Sequence, residues 1–561
     1  MIEDDARALN LAGAAAFARR DWSEAERLFT AALQLVPRSA EAAVNLARVY
    51  EVLGLLDDAA DLYERVGRDR PDNAAVLVRL GIVRYGQSRL EDALEAFEAA
   101  LRVDPRHLTA AVNGGLVASA VGRHDDAVRL LRGAVGAHPG DVAAWTGLAD
   151  ALRSSGAFDD AEAAARSACE VASDDAQAWL VRGQVAYDRG AFAQAEEAFR
   201  RAAQLAPERH EPPMNLGGLY HGLGRVDDAL VHLTHAVVSA PQEPRAHVNL
   251  GMSLLLAGDS AAGFAELEWR LREPAMRGHY QRLDALPRWN GESLDGGRVL
   301  IALEQGIGDF LFLSRFVPLL RARGVTTALE IPPALAEMYH HAPGIDEVLI
   351  GRAGPERLAS FAAHLPLCSL PYVLGAQAAP DPHAVPYLRA DPKRIASFRA
   401  RFAALGKRMT VGIVWAGDPA HALDRFRSCA LAEFGALAGV EDVAWVSLQK
   451  GAREADVLTP PPGFEPFALG PELADYADTA AAIMALDLVI AVDTSVAHLA
   501  GALGAPIWTL HGFGKYWLWG VEGARTPWYP TMRLFRQTEP NRWADVFADV
   551  RAALGDALTR F

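Results

Sequence analysis

The first half of the chain repeats one pattern of apolar and polar positions. Ala25, Ala59, Ala93, Ala127, Ala161, Ala195 and Ala229 recur at a constant interval of 34 residues. A proline follows twelve positions after six of them, at Pro37, Pro71, Pro105, Pro139, Pro207 and Pro241, and Ser173 takes its place in the remaining unit. Within residues 74–107, Leu80 and Gly81 fall in a first predicted helix, while Ala93, Phe97 and Ala100 share one face of a second. Gly81 lets the neighbouring helix come close, a residue larger than Ala93 would push the pair apart, and Pro105 cannot continue a helix. Trp145, Leu148 and Ala161 fit the same template, as do Trp179, Gly183, Ala195 and Phe199, and then Leu216, Gly217, Tyr220 and Ala229. An eighth unit begins at about Pro244 with Asn249-Leu250-Gly251, but Gly263 stands where alanine is expected. The array is therefore predicted to merge into another structure near residues 264–270.

From Arg298 the period changes. Short apolar runs at 299–303, 328–331, 347–350, 410–415, 444–448, 488–492 and 506–510 alternate with helical stretches. Strand-length runs separated by helices predict parallel α/β sheets, and a Pro- and Ala-rich break at 378–392 divides them into two doubly wound domains with a cleft between. The predicted boundaries are a repeat superhelix over 1–257 with about 7.5 repeats, a connector over 258–290, a first domain over 291–390, and a second over 400–561 ending in a helix.

Stacked helix pairs create a concave inner face. The residue before the Leu-Gly position should point into it, and there stand Asn45, Asn113, Asn215 and Asn249, with Leu11, Arg79, Gly147 and Val181 in the other copies. An asparagine amide both donates and accepts, so a row of them can grip a peptide backbone without reading its sequence. The alternative is that these asparagines cap or brace helices.

Three motifs stand where strands end, the place where open α/β sheets bind ligands. The first is Glu304-Gln305-Gly306-Ile307-Gly308-Asp309, in which Gly306 and Gly308 permit a tight turn and close backbone approach to a ligand, and Asp309 opens a helix; the other reading of Asp309 is an N-cap. The third glycine of a dinucleotide fingerprint is missing, so NAD is not supported. The second motif is a small-residue loop after 411–415 carrying His421, Asp424, Arg425 and Arg427, and arginine's planar fork suits phosphate. The third is Asp493-Thr494-Ser495-Val496-Ala497-His498, where a strand runs into a helix N-terminus, a ready anion site.

Composition narrows the partners. A net charge of −16 argues against nucleic acid. Three distant cysteines, Cys169, Cys368 and Cys429, argue against a disulfide framework or zinc cluster. The acidic start MIEDDARALN lacks the apolar core of a signal peptide, and there is no apolar run of membrane-spanning length. A cytoplasmic protein is the default expectation, with its oligomeric state open.

The repeat half resembles the tetratricopeptide repeat. The second half resembles GT-B glycosyltransferases, especially the bacterial heptosyltransferase-like group (family 9), through ALEQGIGDFLFLSRFVPLL, VGIVWAGDPAHALDRFRS, SLQKG, DTAAAIMALDLVIAVDTSVAHLAGALGAPIW and PWYPTMRLFRQ. The expected fold is thus an α superhelix followed by a GT-B pair of Rossmann-like domains. The layout is similar to O-linked N-acetylglucosamine transferase, whose repeat domain carries a similar asparagine ladder, and to bacterial flagellin glycosyltransferases. The resemblance implies a metal-independent, inverting transferase with a nucleotide-sugar donor as substrate, no cofactor, and a protein acceptor held by the repeats through Ser or Thr hydroxyls. It makes Asp309 the general base in the turn of Gly306 and Gly308, whose backbone approaches the bound donor. Thr494 and Ser495 take the donor phosphates, Asp493 a sugar hydroxyl, and His498 lies nearby. Arg425 is the first choice for neutralising phosphate and Arg427 the second, with Gln449 and Lys450 as further donor contacts. Ser495 departs from the glycine usual in that family, which puts the close approach of backbone to phosphate in doubt. Trp528-Tyr529-Pro530 either lines the cleft or packs in a core. The absence of an Asp-x-Asp pair after residue 290 agrees with a transferase that uses no metal. Alternatives are a transferase that builds lipopolysaccharide or another surface glycan, and a non-catalytic scaffold keeping a retired transferase domain.

Overall fold

The computed structural model describes residues 2–559 apart from Asp295, Gln305, His341, Ala422 and Leu423, and apart from the Pro382 side chain. Gln305 of the first motif therefore lies outside the described residues. Contacts divide the chain into two compact units, Met1–Asn215 and Leu216–Phe561, so the division falls inside the repeat array.

Sixteen helices, from Ile2–Ala18 to Ser260–Leu267, form successive pairs among the described residues. The repeat period has a steric cause. A Cβ added at Gly13 or Gly81 would lie 2.7 Å from the ring of Phe29 or Phe97, sixteen residues on, and Gly115, Gly183 and Gly217 meet Leu131, Phe199 and Leu233 in the same way. Each glycine is thus the slot for one large side chain of the second helix, and emptying such a slot (Phe97→Ala) would cost about 3–5 kcal/mol. The 34-residue alanines are fully buried beside these slots. In the eighth unit the partner is backbone instead. A Cβ on Gly251 would lie 2.9 Å from the Gly263 carbonyl oxygen, and one on Gly263 would lie 2.7 Å from Leu255 Cγ and 3.0 Å from the Gly251 carbonyl oxygen, so Gly263 replaces alanine. Ion pairs such as Arg84–Glu64 at 3.1 Å and Arg153–Asp188 at 2.9 Å connect neighbouring repeats. Both pairs are partly buried, so their mutual attraction is offset in part by the cost of removing the charges from water.

The turn within each pair needs a left-handed residue. Gly54, Gly122, Gly156, Gly190, Gly224 and Gly258 supply it with φ of 74° to 89°, and Arg20 (62°) and Ser88 (61°) hold the same place in their repeats.

Ten strands follow: β1 (Arg298–Ala302), β2 (Thr326–Ile331), β3 (Glu347–Ile350), β4 (Ala363–Pro366), β5 (Met409–Val414), β6 (Val443–Ser447), β7 (Phe467–Ala468), β8 (Leu488–Val492), β9 (Ile507–His511) and β10 (Met532–Arg536). They form two all-parallel sheets, ordered β3-β2-β1-β4 and β10-β9-β8-β5-β6-β7. The seven expected strands are all present within two residues of their expected ends. β4, β7 and β10 are additional; β4 is the short run Ala-His-Leu-Pro, too brief and too proline-marked to read as a strand. In both sheets the chain reverses its direction of winding beside the first strand. These reversals, between β1 and β4 and between β5 and β8, are the places where doubly wound sheets open a crevice at their carboxyl ends.

The connector is stitched to the first sheet by charge. Arg270 donates to both oxygens of Glu304 at 2.6 and 2.9 Å, and also to Ser369 Oγ at 2.9 Å and Glu268 at 2.8 Å. Arg282 donates to the buried Glu330 at 2.6 Å, whose oxygens also accept the amides of Leu303 and Ala353.

The left-handed position gives the first test. That conformation costs a non-glycine residue roughly 1–2 kcal/mol, and glycine's greater unfolded-state freedom offsets about half of the gain. Ser88→Gly and Arg20→Gly should each raise unfolding free energy by about 0.5–1 kcal/mol in urea titrations; a loss in both would contradict the strain.

Candidate functional site

The three motifs lie at the two winding reversals. After β1 the chain turns through Gly306 into the short helix Ile307–Leu313, with Asp309 in its first turn. After β5 a loop leads to the helical turn Asp424–Arg427. After β8, Asp493 and the cap residue Thr494 open the helix Ser495–Leu503.

Gly308 brings the first and third motifs together. A Cβ there would lie 3.1 Å from His498 Cδ2 and 3.7 Å from Ser495 Cα, so a side chain would crowd the His498 ring by a few tenths of an ångström. Gly306 has no such constraint: it is exposed, and a Cβ would meet nothing nearer than Asp309 Oδ2 at 4.0 Å.

Two carboxylates and one arginine dominate the electrostatics. Burial and then the nearby Asp493 charge push the Asp309 carboxyl up to about 6, against the pull of Arg427. Asp493 is raised by burial, with the Trp519 hydrogen bond and Arg427 opposing. Its Oδ2 accepts the Trp519 indole N–H at 2.8 Å, and its Oδ1 lies 3.9 Å from His498 Nε2. The His498 ring is buried, its Nδ1 is 3.0 Å from the Tyr529 hydroxyl, and burial followed by the charges of Arg315 and Arg427 lowers its pKa to about 3. It is therefore a neutral imidazole at physiological pH and supplies no positive charge to a phosphate.

The loop arginines part company. The charge of Arg427 acts on Asp309, Asp493 and His498, and its Nε lies 3.5 Å from Asp424 Oδ1. Arg425 is exposed, with its guanidinium 4.5 Å from the centre of the Phe426 ring. Of the two, Arg427 is the one whose charge reaches the carboxylates at the strand ends. Gly512 explains the loop's placement: a side chain there would run into the Phe426 carbonyl.

Thr494 is buried, and its Oγ1 has no hydrogen-bond partner among the described residues. Ser495 Oγ is 2.7 Å from the Tyr476 hydroxyl. The Gln449 amide is fully committed to protein. Its Oε1 accepts the Trp415 and Ala416 amides at 3.1 and 3.0 Å, and its Nε2 donates to the Ala416 and Lys450 carbonyls at 2.9 Å each. Gln449 shapes the loop after β5 and has no amide group left for a donor contact. Lys450 donates to the Gly470 carbonyl at 2.8 Å and pairs with Glu454 at 3.2 Å, turned to its own neighbours. Trp528 and Tyr529 are buried, which is the core reading of that segment.

Sequence reasoning passed over Trp519 and Arg315. Arg315 donates to the Trp528 carbonyl at 3.0 Å and the Tyr387 hydroxyl at 3.1 Å, and lies over the Phe312, Tyr387 and Tyr529 rings. The aromatic density of Tyr516-Trp517-Leu518-Trp519 after a strand end was the signal for Trp519. Among the described residues there is no cluster of three or more His, Cys, Asp or Glu arranged to hold a metal ion, and no helix long and apolar enough to cross a membrane.

In the repeat region, Asn45 donates to Asn10 at 3.0 Å and Asn215 to its own helix at the Glu211 carbonyl at 2.8 Å. Those two amides are partly spent on bracing. Asn113 and Asn249 are half-buried, with no side-chain hydrogen bond among the described residues.

Comparison with known proteins agrees with the repeat pattern. Tetratricopeptide repeat models match residues 16–80, 118–185 and 186–251, and a second model of that repeat matches 78–118. This part of the chain is made of tetratricopeptide repeats. A protein named FlbA, from Caulobacter vibrioides, is 27% identical over 293 residues, 48% of each chain; the chain thus spans about half the length of this curated relative. Among solved structures, a tetratricopeptide repeat protein from Parabacteroides merdae is 16% identical, covering 45% of this chain and 99% of its own with a TM-score of 0.39. TTC0263 from Thermus thermophilus is 25% identical, covering 33% and 100% with a TM-score of 0.30.

The charge arrangement is directly testable. Arg427 lowers the Asp309 pKa, so Arg427→Gln should move the Asp309 titration upward from about 6, and Asp493→Asn should move it down. Carboxyl-carbon NMR on aspartate-labelled protein would follow both; an unmoved midpoint in both variants would mean the three groups do not sense one another.

Proposed function

We propose that the α/β half is a GT-B glycosyltransferase, and that the repeats present a protein acceptor to it. The observation that carries the reading is the meeting of the two winding reversals: Asp309 from one sheet feels the charges of Asp493 and Arg427 from the other, with Gly308 against His498 and Ser495.

In this reading a nucleotide sugar lies at the carboxyl end of the second sheet. Asp309, ionised at neutral pH, takes the proton of an acceptor Ser or Thr hydroxyl as its oxygen bonds to the anomeric carbon. The bond from that carbon to the phosphate oxygen breaks, and the nucleotide leaves with the electron pair. Arg427 and the amides at the start of the helix Ser495–Leu503 stabilise the departing phosphate, and Asp493 accepts from a sugar hydroxyl. The unpartnered Thr494 Oγ1 is available to the same phosphate.

A thermal-shift screen against UDP-, GDP-, ADP- and CMP-linked sugars tests the donor site, because a ligand that binds only the folded state raises the melting midpoint. A shift with one nucleotide class supports the transferase. No shift with any of them favours the scaffold. With the donor so identified, Asp309→Ala should retain donor binding and lose about 10²–10⁴-fold in turnover, and wild-type turnover should fall as pH drops through about 6, where the base becomes protonated. Unchanged turnover in Asp309→Ala would remove Asp309 from the mechanism. Replacing Asn113, Asn215 and Asn249 together with alanine should impair transfer to an intact acceptor protein and spare donor hydrolysis; equal transfer by the triple variant would place acceptor binding elsewhere.

A further inference from the structure

The segment between β9 and β10 touches both the carboxylate at the end of β8 and the last repeats. On the site side, Trp519 donates its indole N–H to Asp493 Oδ2 at 2.8 Å, and its ring packs against His498 and His511 with centroids 5.2 Å away in each case. Arg536 of β10 fixes the segment by donating to the Trp519 carbonyl and, at 3.1 Å, to the Gly523 carbonyl. On the repeat side, Trp517 packs edge-on against Phe264 of the helix Ser260–Leu267, at 5.6 Å and 90°. A Cβ on Gly224, the left-handed turn residue of the seventh repeat, would lie 2.9 Å from Val521 Cγ1 and 3.3 Å from Lys515 Cγ. The His221 side chain meets the Lys515 backbone, and its Nδ1 is 3.0 Å from Ser253 Oγ in the next repeat.

A half-buried carboxylate is thus oriented by one indole N–H, and that indole sits on a segment wedged against two repeats. Hydrogen bonds to charged groups are the strong and directional ones, and small errors in the placement of reacting groups carry large rate penalties. We propose that Trp519 is a positioning residue for Asp493, and that residues 512–523 tie the setting of that carboxylate to the last two repeats. The proposal rests on the reading that Asp493 contacts the donor sugar. Coupling of this kind is reciprocal: a protein seated on the last repeats changes donor affinity, and donor changes the hold on that protein by the same factor.

The test uses the full chain, the nucleotide sugar that gives the largest shift among UDP-, GDP-, ADP- and CMP-linked sugars, and calorimetry. Trp519→Phe keeps a ring and removes the N–H, and should weaken donor affinity about tenfold. In an Asp493→Ala background the same change should cost less than about twofold, since it acts through the missing carboxylate. Gly224→Val, which pushes on Val521 from the repeat side, should also weaken donor binding, and its effect should not add to that of Trp519→Phe. Gly258→Val, the same strain at a left-handed turn with nothing within 4 Å of the added Cβ, should leave both donor affinity and hydrogen exchange at residues 493–499 unchanged. A merely structural role for Trp519 would lower the melting point and give additive losses, and additive losses overturn the proposal. Hydrogen exchange at residues 493–499 supplies a readout that needs no donor: it should quicken in both Trp519→Phe and Gly224→Val. If no nucleotide sugar binds the wild type, the donor reading fails and exchange alone decides the positioning role. Unchanged exchange in Gly224→Val overturns it, even where Trp519→Phe does not fold.

Discussion

The buried pair of Arg270 and Glu304 is the constraint on which the second unit depends. Both side chains are removed from water, at 9% and 0% exposure. Burial opposes the Glu304 charge, but the hydrogen bonds and charge of Arg270 overcome it and hold the carboxyl below the usual range. A pair of this kind is no large source of stability in itself; its force lies in the roughly 3–5 kcal/mol lost when one partner is removed. That asymmetry fixes position. Glu304 sits five residues before Asp309, so an arginine from the connector holds the root of the turn that carries the candidate base. Arg282 and Glu330 repeat the device one strand away, where Glu330 also accepts the amide of Leu303 at 3.0 Å.

From that anchored turn the site is built by close approach. Gly512 against the Phe426 carbonyl is a contact that no side chain could share, and Gly308 against His498 is tight enough that a side chain would crowd the ring. They place Asp309, Asp493 and Arg427 within one another's fields with no rigid cage around the carboxylates themselves. Asp493 has the indole of Trp519, and Asp309 has a raised pKa that stays below neutrality. Arg315, inside its aromatic surround, supports the same region from behind.

What could be read from sequence follows from how local each cause is. The repeat period, the alanines and the Leu-Gly slots depend on neighbours within one 34-residue unit, so their spacing exposes them. The strands expected in the second half are present because each is a self-contained apolar run between turn residues. The glycine turn, the paired loop arginines and the Asp-Thr-Ser segment were visible as motifs at strand ends. Their partners were not. Whether Arg425 or Arg427 turns inward depends on the fit of Gly512 under Phe426, some 86 residues away in sequence. Three of the four hydrogen bonds that engage Gln449 come from the loop after β5, and the Trp519 bond to Asp493 spans 26 positions. The connector was legible only as the place where the array merges into another structure, yet its arginines meet glutamates 34 and 48 residues on.

The division of the chain at Asn215 also bears on how such a protein could be assembled from parts. By pattern, the natural seam for gene fusion lies where the repeats stop. By contact, the helices from Leu216 onward already belong with the sheets: Phe264 with Trp517, Gly224 with Val521, and His247 stacked on Trp269 at 3.7 Å. Swapping in a foreign repeat array at the visible motif boundary would strip the α/β part of packing it relies on. An exchange made nearer residue 215 would carry those contacts along. The packing unit that holds the sheets therefore reaches back beyond the end of the repeat motif to Leu216, and the two terminal repeats are part of it.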